Sequence, residues 1–167
     1  MNWKEPKELP STIFDTPGYH STGDLEIQVG KRSALIQTHL GHEFRATVVR
    51  GNLTLTALTR LPGLPDHPAL RARELLKNFV HSITRRGVRI VSLTSDWESP
   101  TLPTERATNY HQYLKQPRKT ASQQLLAAQK TWTGTQAKNI LGFEPVQVKE
   151  VGPKRHPDRI EVTFKKK

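Results

Sequence analysis

The apolar residues of this chain change their period twice between positions 43 and 94, and few folds accommodate both changes. From Glu43 to Val49, Phe44, Ala46 and Val48 alternate with Arg45 and Thr47, the pattern of a half-buried strand. Arg50-Gly51-Asn52 follows, with Gly51 and Asn52 suited to the positive φ of a tight turn. Residues 53–61 alternate again, Leu53, Leu55 and Ala57 against Thr54 and Thr56, so an antiparallel hairpin is expected. Residues 61–68 (Leu-Pro-Gly-Leu-Pro-Asp-His-Pro) then end the strand, because their prolines remove donors and fix φ. Asp66 or His67 is placed to cap a helix that has Pro68 near its start. Over 68–86 the spacing becomes helical: Ala69, Ala72, Leu75, Leu76, Phe79, Val80 and Ile83 form one broad stripe. Arg85 and Arg86 suit the negative helix end, and Gly87 supplies the stop. Residues 88–94, dense in β-branched side chains, predict a buried parallel strand. The expectation is a strand–helix–strand unit entered through a hairpin.

The flanks extend that scheme into an α/β fold with a mixed, mostly antiparallel sheet. Residues 1–23 are rich in Pro, Ser, Thr and Gly and read as an N-terminal arm or linker, with a single domain over 24–167. Strands are expected at 24–29 and 33–40, the second turned by Gly41-His42. Pro100 and Pro103 mark 95–104 as a loop, 105–115 reads as a short helix, and Pro117 breaks it. Residues 121–141 are helical in character, interrupted at Thr131-Trp132-Thr133-Gly134, where two β-branched residues and a glycine favour a local recap. Two closing strands are expected at 145–151 and 159–165.

Charge narrows the partners. The chain of 167 residues carries a formal net charge of +11. Residues 1–30 hold two basic and five acidic side chains, 31–94 eleven and three, and 95–167 thirteen and seven. The excess therefore sits on the expected folded part, where it attracts phosphates, nucleic acid or an acidic protein. No apolar run approaches the length of a membrane span, and the first residues lack a signal-peptide core. The absence of cysteine removes disulfides, thiolate zinc sites and thiol catalysis, and fits action in the cytosol.

Several residues carry possible chemistry. Glu43, beside His42 at a turn, can serve as a general base if its surroundings shift its proton affinity. His39 and His42 with Glu43 fit a solvated turn better than a metal site, and no metal is expected. Asp96 is expected just beyond the strand at 88–94, at the carboxyl edge where open α/β sheets hold ligands. Tyr110 is a further candidate catalytic group. Asn109, Trp132 and Thr133 are candidates for binding substrate.

The order of these elements resembles that of the GNAT-type N-acetyltransferases over about residues 24–165. The Leu141-Gly142-Phe143-Glu144 step looks like the Leu-Gly-Phe that ends the corresponding helix in that family. The resemblance implies acetyl-coenzyme A as donor, bound through backbone amides at the start of the central helix. His67, Arg71 and Arg73 are the positions here that would meet its phosphates. Of the six positions aligned with the family's Gln/Arg-x-x-Gly-x-Gly/Ala loop, residues 67–72, Ala72 alone matches, and Pro68 removes one donor. Where many members place an acidic tyrosine, five residues before the Phe, this chain has Lys138. Thr108 to Leu114, Ala127-Ala128, Thr131 to Gly134 and Gly142-Phe143 together resemble the C-terminal toxin domains of Rhs-type polymorphic toxins. That likeness implies delivery as part of a larger secreted protein, action in the cytoplasm of a target cell, and an immunity protein. The immunity protein should be acidic, landing on Arg45, Arg71, Arg73, Arg85, Arg86 and Arg89. The expected activity is transfer of an acyl- or nucleotide-type group to a nucleic-acid or protein target. The other class is a basic nuclease or nucleic-acid-binding domain without transferase activity.

Overall fold

A computed structural model describes residues 26–27, 33–37, 43–59, 72–85, 87–102 and 107–167. The chain is a mixed α/β protein whose internal contacts gather into two compact units, Met1–Ile90 and Val91–Lys167. The arm expected over 1–23 lies outside the described residues. The expected strand–helix–strand passage is divided, with its first strand and helix in the first unit and its last strand in the second.

In the first unit β1 (Glu26–Ile27), β2 (Ser33–Gln37), β3 (Glu43–Val49) and β4 (Asn52–Thr59) form an antiparallel meander. The β3–β4 register places Val48 opposite Leu53, and both are fully buried. Val49 pairs with Asn52, so the loop is only Arg50 and Gly51, with φ of 50° and 80°. Two positive φ values give the turn a twist that matches the strands it joins. The sequence reading assigned the positive φ to Gly51 and Asn52. Asn52 instead opens the strand and donates from Nδ2 to Thr54 Oγ1 at 3.3 Å, because a two-residue loop needs both special residues inside it. Arg45 pairs with Ala57 and Ala46 with Leu55, which leaves Thr56 as the extra residue of a bulge. Helix α1 (Ala72–Arg85) packs on β3 and buries Leu76, Phe79 and Val80, while Lys77, His81 and Thr84 stay exposed. Gly87 closes it, its amide donating to Thr84 O at 2.9 Å. The expected start of this helix, residues 68–71, lies outside the described residues.

The second unit has three antiparallel strands, with β7 (Arg159–Lys166) between β5 (Ser92–Glu98) and β6 (Phe143–Val151). Helices α2 (Thr108–Leu114), α3 (Ala121–Gln129) and α4 (Trp132–Gln136), then a π-helical turn at Ala137–Leu141, connect β5 to β6. Helix α2 packs on β5, and α3 and the π turn pack on β6. One sheet face carries Leu93, Ser95 and Trp97 of β5 against Phe164, Val162 and Ile160 of β7, and all six are buried. Pro145 is tolerated in β6 because that strand lies at the edge of the three and is bulged between Pro145 and Gln147.

Three boundaries differ from the sequence expectation. The strand expected at 88–94 runs from Ser92 to Glu98, so Ser95 and Asp96 belong to it and not to a loop. The alternation Leu93-Ser95-Trp97 sets its inner face, whereas Val91 is 45% exposed and precedes the ladder. Residues 121–141 form three pieces. The middle piece starts where expected, at a fresh cap on Thr131. Gly142, at φ 69°, then ends the π turn and lets β6 begin at Phe143.

Candidate functional site

The sequence candidates of the second unit fall into three clusters. The first is the start of α4. A helix leaves its first amides without internal partners, and here side chains from two elements fill them. The Trp132 amide donates to Gln112 Oε1 at 2.6 Å, and the Thr133 amide donates to Asn109 Oδ1 at 2.9 Å. The Gly134 amide donates to Thr131 Oγ1 at 3.0 Å, and that hydroxyl in turn donates to Ala128 O at 2.7 Å. Asn109 and Gln112 stand three residues apart on one face of α2. Gly134 is required by space: a Cβ there would lie 2.2 Å from Ala128 O and 2.7 Å from Gln129 O. Asn109, Trp132 and Thr133 are thus brought together, and the polar atoms described hold α2, α3 and α4 in one joint.

Tyrosines form the second cluster. Tyr110 is 3% exposed and its hydroxyl donates to Pro157 O at 2.7 Å, fixing α2 to the β6–β7 turn. Tyr113, fully buried, donates to Glu150 Oε1 at 2.8 Å and lies 6.0 Å from Trp97, ring centre to ring centre. Arg118 binds the same carboxylate oxygen at 2.7 Å, and its guanidinium lies 5.6 Å from the Tyr113 ring centre. Its other nitrogen donates to Lys154 O at 3.1 Å and Arg155 O at 3.4 Å. Burial first, and then the hydrogen bond to Glu150, push the Tyr113 hydroxyl well above the usual tyrosine range. It therefore stays a donor.

The third cluster lies on the opposite sheet face. Strand alternation directs Trp97 toward α2 and Asp96 away from it. Asp96 pairs with Glu161 across the ladder, and Glu98 pairs with Arg159. Arg159 Nε is 3.6 Å from Asp96 Oδ2, and its Nη2 donates to Glu161 Oε1 at 2.7 Å. Burial raises the Asp96 carboxyl above the ordinary aspartate value of 3.8; Arg159 opposes the shift, and the carboxylates of Glu161 and Glu98 add to it. Asp96 remains 45% exposed and is accessible to an incoming group. The sheet separates it from Asn109, Tyr110, Trp132 and Thr133.

Of the remaining candidates, Glu43 occupies the first position of β3, and Arg73 is exposed in the first turn of α1. His67 and Arg71 lie outside the described residues. Sequence reasoning missed Arg159 and Glu161 as neighbours of Asp96, and Gln112, Arg118 and Glu150 as organising groups. The alternation of Ile160, Val162 and Phe164 does place Arg159 and Glu161 together on the polar face of β7. Among the described residues no group of three His, Asp or Glu could hold a metal ion, and no helix is long and apolar enough to cross a membrane. No protein-family model matches the chain, and no curated protein matches it.

Proposed function

We propose that the chain is a toxin-like group transferase acting in the cytoplasm of a target cell, with Asp96 as the group that takes the acceptor's proton. The observation that carries this reading is the setting of Asp96. It is an accessible carboxylate with raised proton affinity, paired with Glu161 and steadied by Arg159. A carboxylate whose pKa is raised is a stronger base than one free in water, and proton transfer from a positioned base contributes about 10²–10⁴-fold to a reaction. The element order gives secondary support: four strands, a helix, a fifth strand, further helices and two closing strands follow the GNAT-like sequence of elements.

Acetyl-coenzyme A is the donor to test first, and it would supply the acyl group. The net charge of +11 supports an acidic immunity protein as the neutralising partner, captured faster at low salt.

The experiment is incubation of the purified chain with acetyl-coenzyme A and bulk RNA or protein, read by mass spectrometry, beside calorimetry of donor binding. An acetyl mass increment on the target, reduced at least about 100-fold in Asp96→Asn, is the expected result. An unchanged rate in that variant removes Asp96 from the reaction. Strand cleavage in place of a mass increment would favour the nuclease class.

A further inference from the structure

Two short loops of the second unit are locked side by side by one arginine. The α2–α3 turn, residues 115–120, carries Lys115 and Lys119; the β6–β7 turn, residues 152–158, carries Lys154, Arg155 and His156. All five side chains are exposed. Arg118, in the first loop, reaches the second and bonds Lys154 O and Arg155 O. The Tyr110 bond to Pro157 O is a second tie between α2 and the same turn. Arg118 also neutralises Glu150, whose side chain is 15% exposed. Glu150 belongs to β6, and Asp158, exposed, is the carboxylate of the β6–β7 turn itself.

These facts have an electrostatic outcome. Two carbonyls of the turn, Lys154 O and Arg155 O, are occupied by a guanidinium, and the carboxylate of Glu150 is cancelled by the same group. What the loops offer to solvent is four cations and an imidazole on a fixed backbone, opposed by the single exposed carboxylate of Asp158. The buried core of a protein interface is usually more apolar than its rim. The large exposed apolar residues described here are Val49, Val91, Leu102, Leu126 and Val146, and none lies in either loop. A phosphodiester backbone needs only charge, donors and a rigid placement.

We infer that this paired-loop tip, Lys115, Lys119, Lys154 and Arg155 with His156, is a docking surface for the phosphate backbone of a nucleic acid. The inference rests on the transferase reading to the extent that it names nucleic acid as the target. An acidic protein is the competing occupant, and the test separates the two.

The full chain is titrated with a labelled, mixed-sequence single-stranded RNA, and in parallel with polyglutamate, at salt from about 50 to about 200 mM. Counterion release at roughly 0.7 per phosphate gives four contacts a logarithmic slope near −3, or roughly a 50-fold loss of RNA affinity across that range. The double variants Lys154→Gln/Arg155→Gln and Lys115→Gln/Lys119→Gln should each lower the steepness by roughly 1.4. Lys77→Gln/Lys130→Gln removes equal charge from exposed positions elsewhere and should change it far less. Circular dichroism and the melting temperature confirm that the variants fold. Equal losses in the tip and control variants would overturn the inference. Polyglutamate bound more tightly than RNA through the same four side chains would overturn it too, reassigning the tip to an acidic protein. If RNA binds through the tip and nothing is transferred, the surface stands and the transferase reading falls. If RNA is modified equally well without the tip cations, the reverse holds.

Discussion

Replacing Thr131 by valine should weaken the second unit by about 2 kcal/mol. The side chain is fully buried, and its hydroxyl both accepts from the Gly134 amide and donates to Ala128 O. Valine keeps the shape and the β-branch but removes the oxygen, so a buried amide and carbonyl each lose a partner. Loss of an N-cap side chain costs about 1 kcal/mol and up to about 2. A buried donor left unsatisfied costs about 1–3 kcal/mol. These describe the same bond and are not summed. Thr131→Ser retains the hydroxyl and gives up one buried methyl, worth roughly 0.8 kcal/mol. Urea unfolding followed by tryptophan fluorescence suits the measurement, since Trp97 and Trp132 both belong to this unit. With a slope of about 2 kcal/mol per molar urea, the valine variant should shift the midpoint down by about 1 M, and the serine variant by less than half of that. Equal shifts in the two variants would refute the argument, because packing and not the shared hydroxyl would then hold the joint.

Gly134→Ala should destabilise by at least about 2 kcal/mol, since the new methyl meets backbone oxygens that cannot rotate away; the melting temperature reads it. Arg50→Asn should stabilise the β3–β4 hairpin by about 0.5–1 kcal/mol, because asparagine tolerates a φ of 50° better than arginine, and denaturant titration checks it. Tyr113→Phe should cost about 1 kcal/mol and leave Glu150 held by Arg118, measured by the same unfolding assay. Asp96→Asn should raise stability at neutral pH. The folded-state carboxyl holds its proton more strongly than an unfolded one, so its ionisation opposes folding as pH rises through the folded value. The advantage of the variant should fade as pH falls and disappear below 3.8, which paired melting curves against pH would reveal.

Local chemistry was legible in the chain, and long-range pairing was not. Strand β3 is bounded as its alternation predicts, because the period and the turn glycine act within ten residues of one another. The recap at Thr131 was legible for the same reason: its side chain, the helix it caps and the glycine that fits beneath are contiguous. Strand β5 was misplaced because Val88, Ile90 and Val91 look like core, while Ser92 and Ser95, buried on opposite faces of the strand, look like solvent. Small hydroxyl side chains bury readily in a ladder, and hydrophobic density alone does not identify them. The setting of Asp96 was invisible because Arg159 and Glu161 arrive from a strand that inserts beside β5 after all the helices. Asn109 and Gln112 share a helix face that the sequence does show, but nothing local says that another helix begins against it.

The insertion of β7 between β5 and β6 also constrains how this unit is made. Ser92 waits for Lys165 and Glu98 for Arg159, with every helix of the unit and the whole of β6 lying between. Until residues 159–166 emerge during synthesis, β5 and β6 lack the ladder that joins them, and the edges they would turn toward β7 stay unpaired. Helices α2, α3 and α4, of 7, 9 and 5 residues, are too short to hold without packing, so they depend on the sheet they cover. A chain cut short before residue 159 would lose the one strand that joins β5 to β6, and with it the platform on which the helices of the second unit pack.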